Sequence, residues 1–350
     1  MPRFSLWALL AALVVSFAAC SPDTNAPEGA AESDRLVIYS GRKDVLVDPL
    51  VQRFREETGL DVEVRYGTDA ELLAALQEEG TGSPADLFWA NTAGTLVAAE
   101  EAGLLTELPD SLLAMPAAFV PSSGTWTPAT VRFRVLAYAP GRVDTTALPA
   151  SVLDLPNASG LRGRIGWTPT YASFLDFVTA LREMHGEDST RAWIDGMRAL
   201  EPKAYPSNTP MLEALAAGEI DVALTNHYYV LRLLHGSEEA ADATEADAPV
   251  ATYHFAEGDA GNLALVTGAG VLGTSANPSA AQRFLAFLLA PESQRFSAEV
   301  VHEYPVVQGA TVPPYFLPFD RAMALSPALD FARLRDVEGT ARLLREAGLQ

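Results

Sequence analysis

At 350 residues the chain is longer than one compact core usually organises, so two lobes are expected. Apolar residues make up 49% and charged residues 20%, the balance of a soluble α/β protein. With 45 acidic against 24 basic residues the net charge is -21, which argues against nucleic acid and anionic lipid headgroups as partners.

The N-terminus reads as a targeting segment. Arg3 supplies a positive start, 6–17 is mostly apolar, and Ala18-Ala19-Cys20 places small residues before a cysteine. The apolar stretch is too short to span a bilayer permanently, which fits an export signal. Cys20 is the only cysteine, so the chain has no internal disulfide. Its setting resembles the lipobox of bacterial lipoproteins, with Phe17 where leucine is more usual. That resemblance implies a signal peptide over 1–20 and lipid attachment at Cys20; plain secretion is the other reading. The polar, Pro/Ala-rich stretch 21–34 suits a flexible tether, and no later stretch is long and apolar enough for a membrane helix.

From Arg35 strands and helices alternate. A strand over Leu36–Ser40 runs into the loop Gly41-Arg42-Lys43-Asp44, then a helix with Leu46, Leu50, Val51 and Phe54 on one face stops at Gly59. Val62 and Val64 mark a second strand, and Asp69 is expected to cap the next helix, which closes at Gly80. The run 85–89 is a buried strand leading into Ala90-Asn91-Thr92. This is the βαβαβ opening of a doubly wound sheet. Val131–Tyr138 is a longer strand and the first candidate crossing between lobes. Arg164–Trp167 follows, with the loop Thr168-Pro169-Thr170-Tyr171 after it. Thr209-Pro210 starts a helix that ends at Gly218. The acidic stretch 237–247 reads as an exposed connection, Asn262–Leu272 as a strand returning to the first lobe, and Pro278 and Val337 as the starts of further helices.

Within this order the most informative run is Asp221-Val-Ala-Leu-Thr-Asn-His-Tyr-Tyr-Val230. Asp221–Thr225 alternates as a strand, Asn226 suits an N-cap, and Val230, Leu231, Leu233 and Leu234 continue at helical spacing. Tyr228 and Tyr229 therefore stand in the first turn of a helix at the carboxyl end of a strand, where open α/β sheets place ligands. A phenol titrates near ~10, so the pair becomes an anionic donor only where a strong cation displaces its protons. Two readings are open at this point: a site for a hard trivalent ion, or an aromatic pair packed in the core.

Several segments together resemble the ferric-ion-binding extracytoplasmic proteins of ABC importers. They are Ile38-Tyr-Ser-Gly-Arg42, Phe54-Arg-Glu-Glu-Thr-Gly59, Leu76-Gln-Glu-Glu-Gly80, Ser83-Pro-Ala-Asp-Leu87, Arg132-Phe-Arg-Val135, Asn226-His-Tyr-Tyr229 and Glu303-Tyr-Pro-Val306. The resemblance implies a type II, two-lobed periplasmic-binding-protein fold, with two hinge strands and the ligand cleft between the lobes. The lobes are expected over 35–132 with 264–315, and over 133–263 with 316–350. It implies an extracytoplasmic, lipid-anchored monomer that is not an enzyme, binds Fe3+ and passes it to an ABC permease with its ATPase. Tyr228 and Tyr229 take the place of the family's metal-binding pair. Lys43 and Asn91 stand where many members have a histidine and a glutamate ligand, and neither is a good donor for ferric iron. The chain instead resembles a subgroup with a third tyrosine, here Tyr171, and a synergistic carbonate or bicarbonate. Arg132 and Arg42 are the expected anion contacts, with Asn91 and His227 placed around the ligands rather than on the metal.

The remaining polar residues read more plainly. The five histidines show no metal-ligand spacing. Tyr39 and Tyr138 fall within strands, Tyr304 reads as packing beneath the helix before it, and Asp44 is a minor carboxylate candidate. No nucleophile elbow is present, and no Walker-type loop or G-x-G-x-x-G stretch opens a helix after a strand. The alternative within the same fold is a receptor for an oxyanion or small organic anion, gripped by Arg42, Arg132 and helix N-termini; it has no use for clustered phenols.

Overall fold

The computed structural model describes residues 35–116, 118–236, 248–307 and 309–350. The expected signal peptide with Cys20, the expected tether and the acidic 237–247 stretch lie outside the described residues.

The chain opens with strand β1 (Arg35–Ser40), helix α1 (Asp44–Thr58), β2 (Asp61–Tyr66), α2 (Asp69–Glu79), β3 (Leu87–Ala90) and α3 (Ala93–Glu101). β2, β1 and β3 are parallel neighbours, as alternating strand and helix patterns require. Gly59 ends α1 in the left-handed conformation and its N–H returns to the Arg55 carbonyl. The expected Asp69 cap is corrected: Thr68 caps α2, forming a reciprocal capping box with Glu71. Asp69 is buried instead, accepting from the Asn91 N–H at 2.9 Å and the Thr92 hydroxyl at 2.8 Å. Its carboxylate passes so close to Gly41 that a Cβ there would lie 1.7 Å from Oδ1, which only glycine permits.

Next come β4 (Thr127–Tyr138), β5 (Ile165–Trp167), α4 (Ala172–His185), α5 (Glu187–Ala199), β6 (Lys203–Ala204), α6 (Asn208–Ala216), β7 (Val222–Asn226) and α7 (His227–His235). The chain finishes with β8 (Ala251–Tyr253), β9 (Ala264–Val271), α8 (Pro278–Leu289), α9 (Pro291–Phe296), β10 (Tyr304–Pro305), α10 (Phe319–Leu325) and α11 (Val337–Glu346). Strand order is β2-β1-β3-β9-β4-β7-β5-β6, with β8 and β10 also on β4.

β4 starts four residues earlier than its apolar run suggested and joins the two halves of this sheet. It pairs with β9 up to Phe133↔Ala264, then with β7 from Arg134↔Asn226 onward. One rigid strand thus sets Arg132 and Arg134 on either side of the exchange. Separate aromatic networks consolidate the two halves. Phe284 meets Phe54 edge-on at 5.0 Å and Trp89 at 5.8 Å. Trp167, Phe174, Phe177 and Trp193 form an edge-to-face chain with spacings of 5.7, 5.9 and 5.6 Å. Burying each such ring contributes roughly 1.5–3 kcal/mol, and each edge-on pair about 0.5–1.5 kcal/mol more.

Tyr304 departs from expectation. It pairs with Val131 on β4, and its ring packs on Phe133 at 5.2 Å and Phe316 at 4.9 Å. Its hydroxyl donates to the Leu317 carbonyl at 2.6 Å, so the segment that follows it, not the helix before it, supplies its surroundings.

Candidate metal centre

β7 is buried along its whole length and delivers α7 at its carboxyl end. Asn226 takes the extended backbone of an N-cap, but its side chain caps nothing. Its Oδ1 accepts from Arg134 Nη1 at 3.1 Å and its Nδ2 donates to Ser173 at 3.2 Å, tying the start of α7 to β4 and α4.

Tyr228 and Tyr229 stand in the first turn of α7, 4% and 8% exposed, with ring centroids 4.1 Å apart. Tyr171 is the N-cap residue of α4, and its hydroxyl lies 2.9 Å from that of Tyr229. Three phenols from two helix starts therefore converge. Burial drives all three well above the usual phenol range, and their mutual proximity adds to this. Arg132 opposes the shift at Tyr228 and Tyr171, and Arg42 also at Tyr171. Asn208, at the start of α6, approaches Tyr229 and pulls in the same downward direction.

The two predicted arginines meet at a residue that was not singled out. Arg42 Nη2 donates to Glu303 Oε2 at 3.0 Å, and Arg132 Nη1 lies 4.0 Å from Oε1. Arg132 also donates to Asn91, reaching Oδ1 at 3.0 Å and the backbone carbonyl. Burial pushes the Glu303 carboxyl up, but Arg42 and Arg132, with the Thr130 hydroxyl, outweigh it and hold the group below its ordinary range. Each arginine keeps one buried nitrogen without a partner, Nη1 of Arg42 and Nε of Arg132.

Asn91 is thus engaged with Arg132. His227 is buried among Phe133, Tyr304 and Phe316 at 6.0, 4.9 and 6.0 Å. It accepts the Phe133 N–H at Nδ1, 3.1 Å away, and burial lowers its pKa to about 3, so the ring is neutral. Lys43 and Asp44 are exposed at the start of α1.

A cavity of about 590 Å³ is lined by one of the three phenols, Tyr171, together with Arg42, Lys43, Asp69, Asn91 and Asp176. The starts of α1, α2, α3 and α4 all border it, each presenting the positive end of its dipole. Asp176 is buried on α4 with Oδ2 unpartnered; desolvation raises its pKa to about 7. Among the described residues no group of three or more His, Cys, Asp or Glu side chains is arranged to hold a metal ion. The clustered donors are phenols, which suit a hard, highly charged cation, with guanidinium nitrogens beside them for an oxyanion.

The structure brings the three expected tyrosines near the two expected arginines, and it adds Glu303, Arg134, Asp176 and Asn208, which the sequence did not single out. Glu303 and Arg134 lie within the segments that carry the family resemblance, yet nothing local marks either as a neighbour of the arginines and tyrosines.

Residues 35–299 match the family model described as bacterial extracellular solute-binding protein. The chain is 32% identical over 323 residues to the Fe(3+)-binding periplasmic protein of Serratia marcescens, covering 91% of this chain and 92% of that one. Among solved structures it superimposes on iron-bound HitA from Pseudomonas aeruginosa with a TM-score of 0.81 at 31% identity, covering 90% of this chain and 99% of that one. A Trichodesmium protein (IdiA, FutA) solved with iron and citrate gives 0.75 at 27% identity, covering 90% and 100%.

Proposed function

The chain belongs to the bacterial extracellular solute-binding protein family, and from that premise we propose that it is an extracytoplasmic receptor that binds Fe3+ and delivers it to an ABC permease with its ATPase. The observation that carries this reading is the convergence of Tyr171, Tyr228 and Tyr229 in one buried cluster, with two hydroxyls 2.9 Å apart. A metal-free core gains little from three crowded phenols, whereas three phenolates neutralise a trivalent cation. A carbonate-type anion completes the coordination, received by the spare nitrogens of Arg42 and Arg132. Asn91 and His227 hold the surroundings, one by fixing Arg132 and the other by packing. The protein does no covalent chemistry on its cargo.

The lobes, 35–132 with 264–315 and 133–263 with 316–350, close on the metal about the β4 exchange. The protein works as a monomer, leashed through a lipid on Cys20 by the 21–34 tether. An oxyanion receptor on the same fold explains the arginines but leaves the phenols without a role.

The test is an absorption titration of the purified soluble form with ferric nitrilotriacetate, with and without bicarbonate. A visible phenolate-to-iron band that saturates at one iron per chain, strengthened by bicarbonate, is expected. Absence of any visible band on iron addition overturns the reading.

A further inference from the structure

Three arginines are buried around the tyrosine cluster, and their counter-charges are unequal. Arg42 and Arg132 share Glu303, and Asp176 and Asp69 act electrostatically with Arg132 on its other surroundings. Arg134 is 1% exposed and forms no ion pair among the described residues. Its Nη1 reaches the neutral amide oxygen of Asn226, its guanidinium lies over the Phe177 ring at 5.1 Å, and its Nη2 has no partner. A cation left this bare in a protein interior is costly unless an opposite charge answers it. Negative charge on the Tyr228 and Tyr229 oxygens would favour its cation, while Arg132 disfavours it. Strand register fixes this placement, because Arg134 pairs with Asn226, two residues before Tyr228.

We propose that Arg134 is the internal counter-ion of the tyrosine pair, a positioning residue that stabilises the negative charge on Tyr228 and Tyr229 when a metal and its anion are bound. This rests on the ferric reading above and deepens it. Three phenolates cancel a trivalent ion, and an added anion makes the assembly net negative, so a fixed cation behind the ligands favours the loaded state. In the metal-free form the buried guanidinium has the neutral Asn226 amide as its side-chain hydrogen-bond partner and an unpartnered Nη2, so its charge goes unanswered. The residue is therefore held at a cost that is recovered on loading.

The experiment compares wild type with Arg134→Gln, Arg134→Met and Arg134→Lys, titrated with ferric nitrilotriacetate in bicarbonate buffer. Gln and Met are expected to weaken iron binding by roughly ten- to a hundredfold, the scale of one charge-assisted contact. They should also move the visible band to longer wavelength, because a phenolate without its cation gives up an electron more easily. Lys, which keeps the charge, should restore both in part. Parity of Gln, Met and wild type in affinity and band position overturns the proposal while leaving the ferric reading intact, since that reading fails only if wild type shows no band. Should Met fail to fold, the Lys and Gln variants decide: Lys close to wild type and Gln shifted supports the role, and equal behaviour of the two refutes it.

Discussion

Tyr171 and Tyr229 lie 58 residues apart in the chain, yet their hydroxyls share one hydrogen bond of 2.9 Å. One phenol belongs to the N-cap residue of α4 after β5 and the other rides the first turn of α7 after β7. Because β5 and β7 are parallel neighbours, their carboxyl ends open on the same side. The contact is a product of topology, and it turns two local tyrosine signals into one donor set.

Replacing either partner by phenylalanine removes one donor and leaves the other without its hydrogen bond. Tyr171→Phe and Tyr229→Phe should each weaken iron binding by more than the roughly 10–100-fold usual for residues outside the coordination sphere. Metal-free stability should fall by only about 1 kcal/mol, the net worth of one such bond. Iron titration and urea unfolding of the same samples separate the two effects; a large stability loss with unchanged binding would mean the phenols are structural.

Acid should release the metal. Burial raises all three phenols above their ordinary range, so at neutral pH the empty site holds its protons and each phenolate that forms expels one. The sign is fixed: affinity falls as pH falls, by about tenfold per unit for each proton displaced. The visible band followed from pH 8 to pH 5 at constant iron and bicarbonate checks this. An affinity that does not change over that range would exclude phenolate ligation.

Much of this architecture is legible in the sequence because it is written locally. Alternation over 221–225, the apolar face after Asn226 and the glycine stops each depend on a few neighbouring residues. The tyrosine pair could be placed at a strand's carboxyl end for that reason. What stayed hidden is long-range. Glu303 joins Arg42 across 261 residues, and its motif shows a carboxylate but not its partner. Asp69 reads as a helix cap because it opens a helical pattern; the structure gives the cap to Thr68 and sends Asp69 inward, since Gly41 leaves room for it. Tyr304 reads as packing on its preceding helix because the two are close in sequence, while an aromatic cluster from β4 and the segment after it claims the ring. Residue type announces chemistry; only the fold decides which groups face each other.

Glu303 makes a sharp test of the buried charge network. Glu303→Gln leaves Arg42 and Arg132 without the carboxylate they share, and removing one partner of a buried ion pair typically costs about 3–5 kcal/mol. Chemical denaturation of the metal-free protein should show a loss of this order at neutral pH. A loss under about 1 kcal/mol would mean that Asp69 and Asp176 already balance the arginines.

Asp176 predicts a pH-dependent stability of opposite character. Its carboxyl is buried beside the start of α3, where Oδ1 lies 3.1 Å from the position a Cβ on Gly94 would occupy, and Oδ2 has no partner. Desolvation outweighs the pull of Arg132 and raises its pKa to about 7, against about 4 in an unfolded chain. Below pH about 4 both states hold the proton, and the group costs the fold nothing through ionisation. As pH rises from about 4 to 7 the unfolded chain ionises first, so stability contributed by the neutral form is lost through that window. Above it the folded state carries a burial penalty of order a few kcal/mol. Asp176→Asn removes the ionisation but not the shape, so metal-free Asp176→Asn should be more stable than wild type at pH 8. The difference should shrink steadily toward pH 4. Thermal unfolding of the pair across that range decides it: a gap between variant and wild type that stays constant with pH would show that Asp176 does not titrate within the fold in this window, and that a neighbouring cation already holds it ionised.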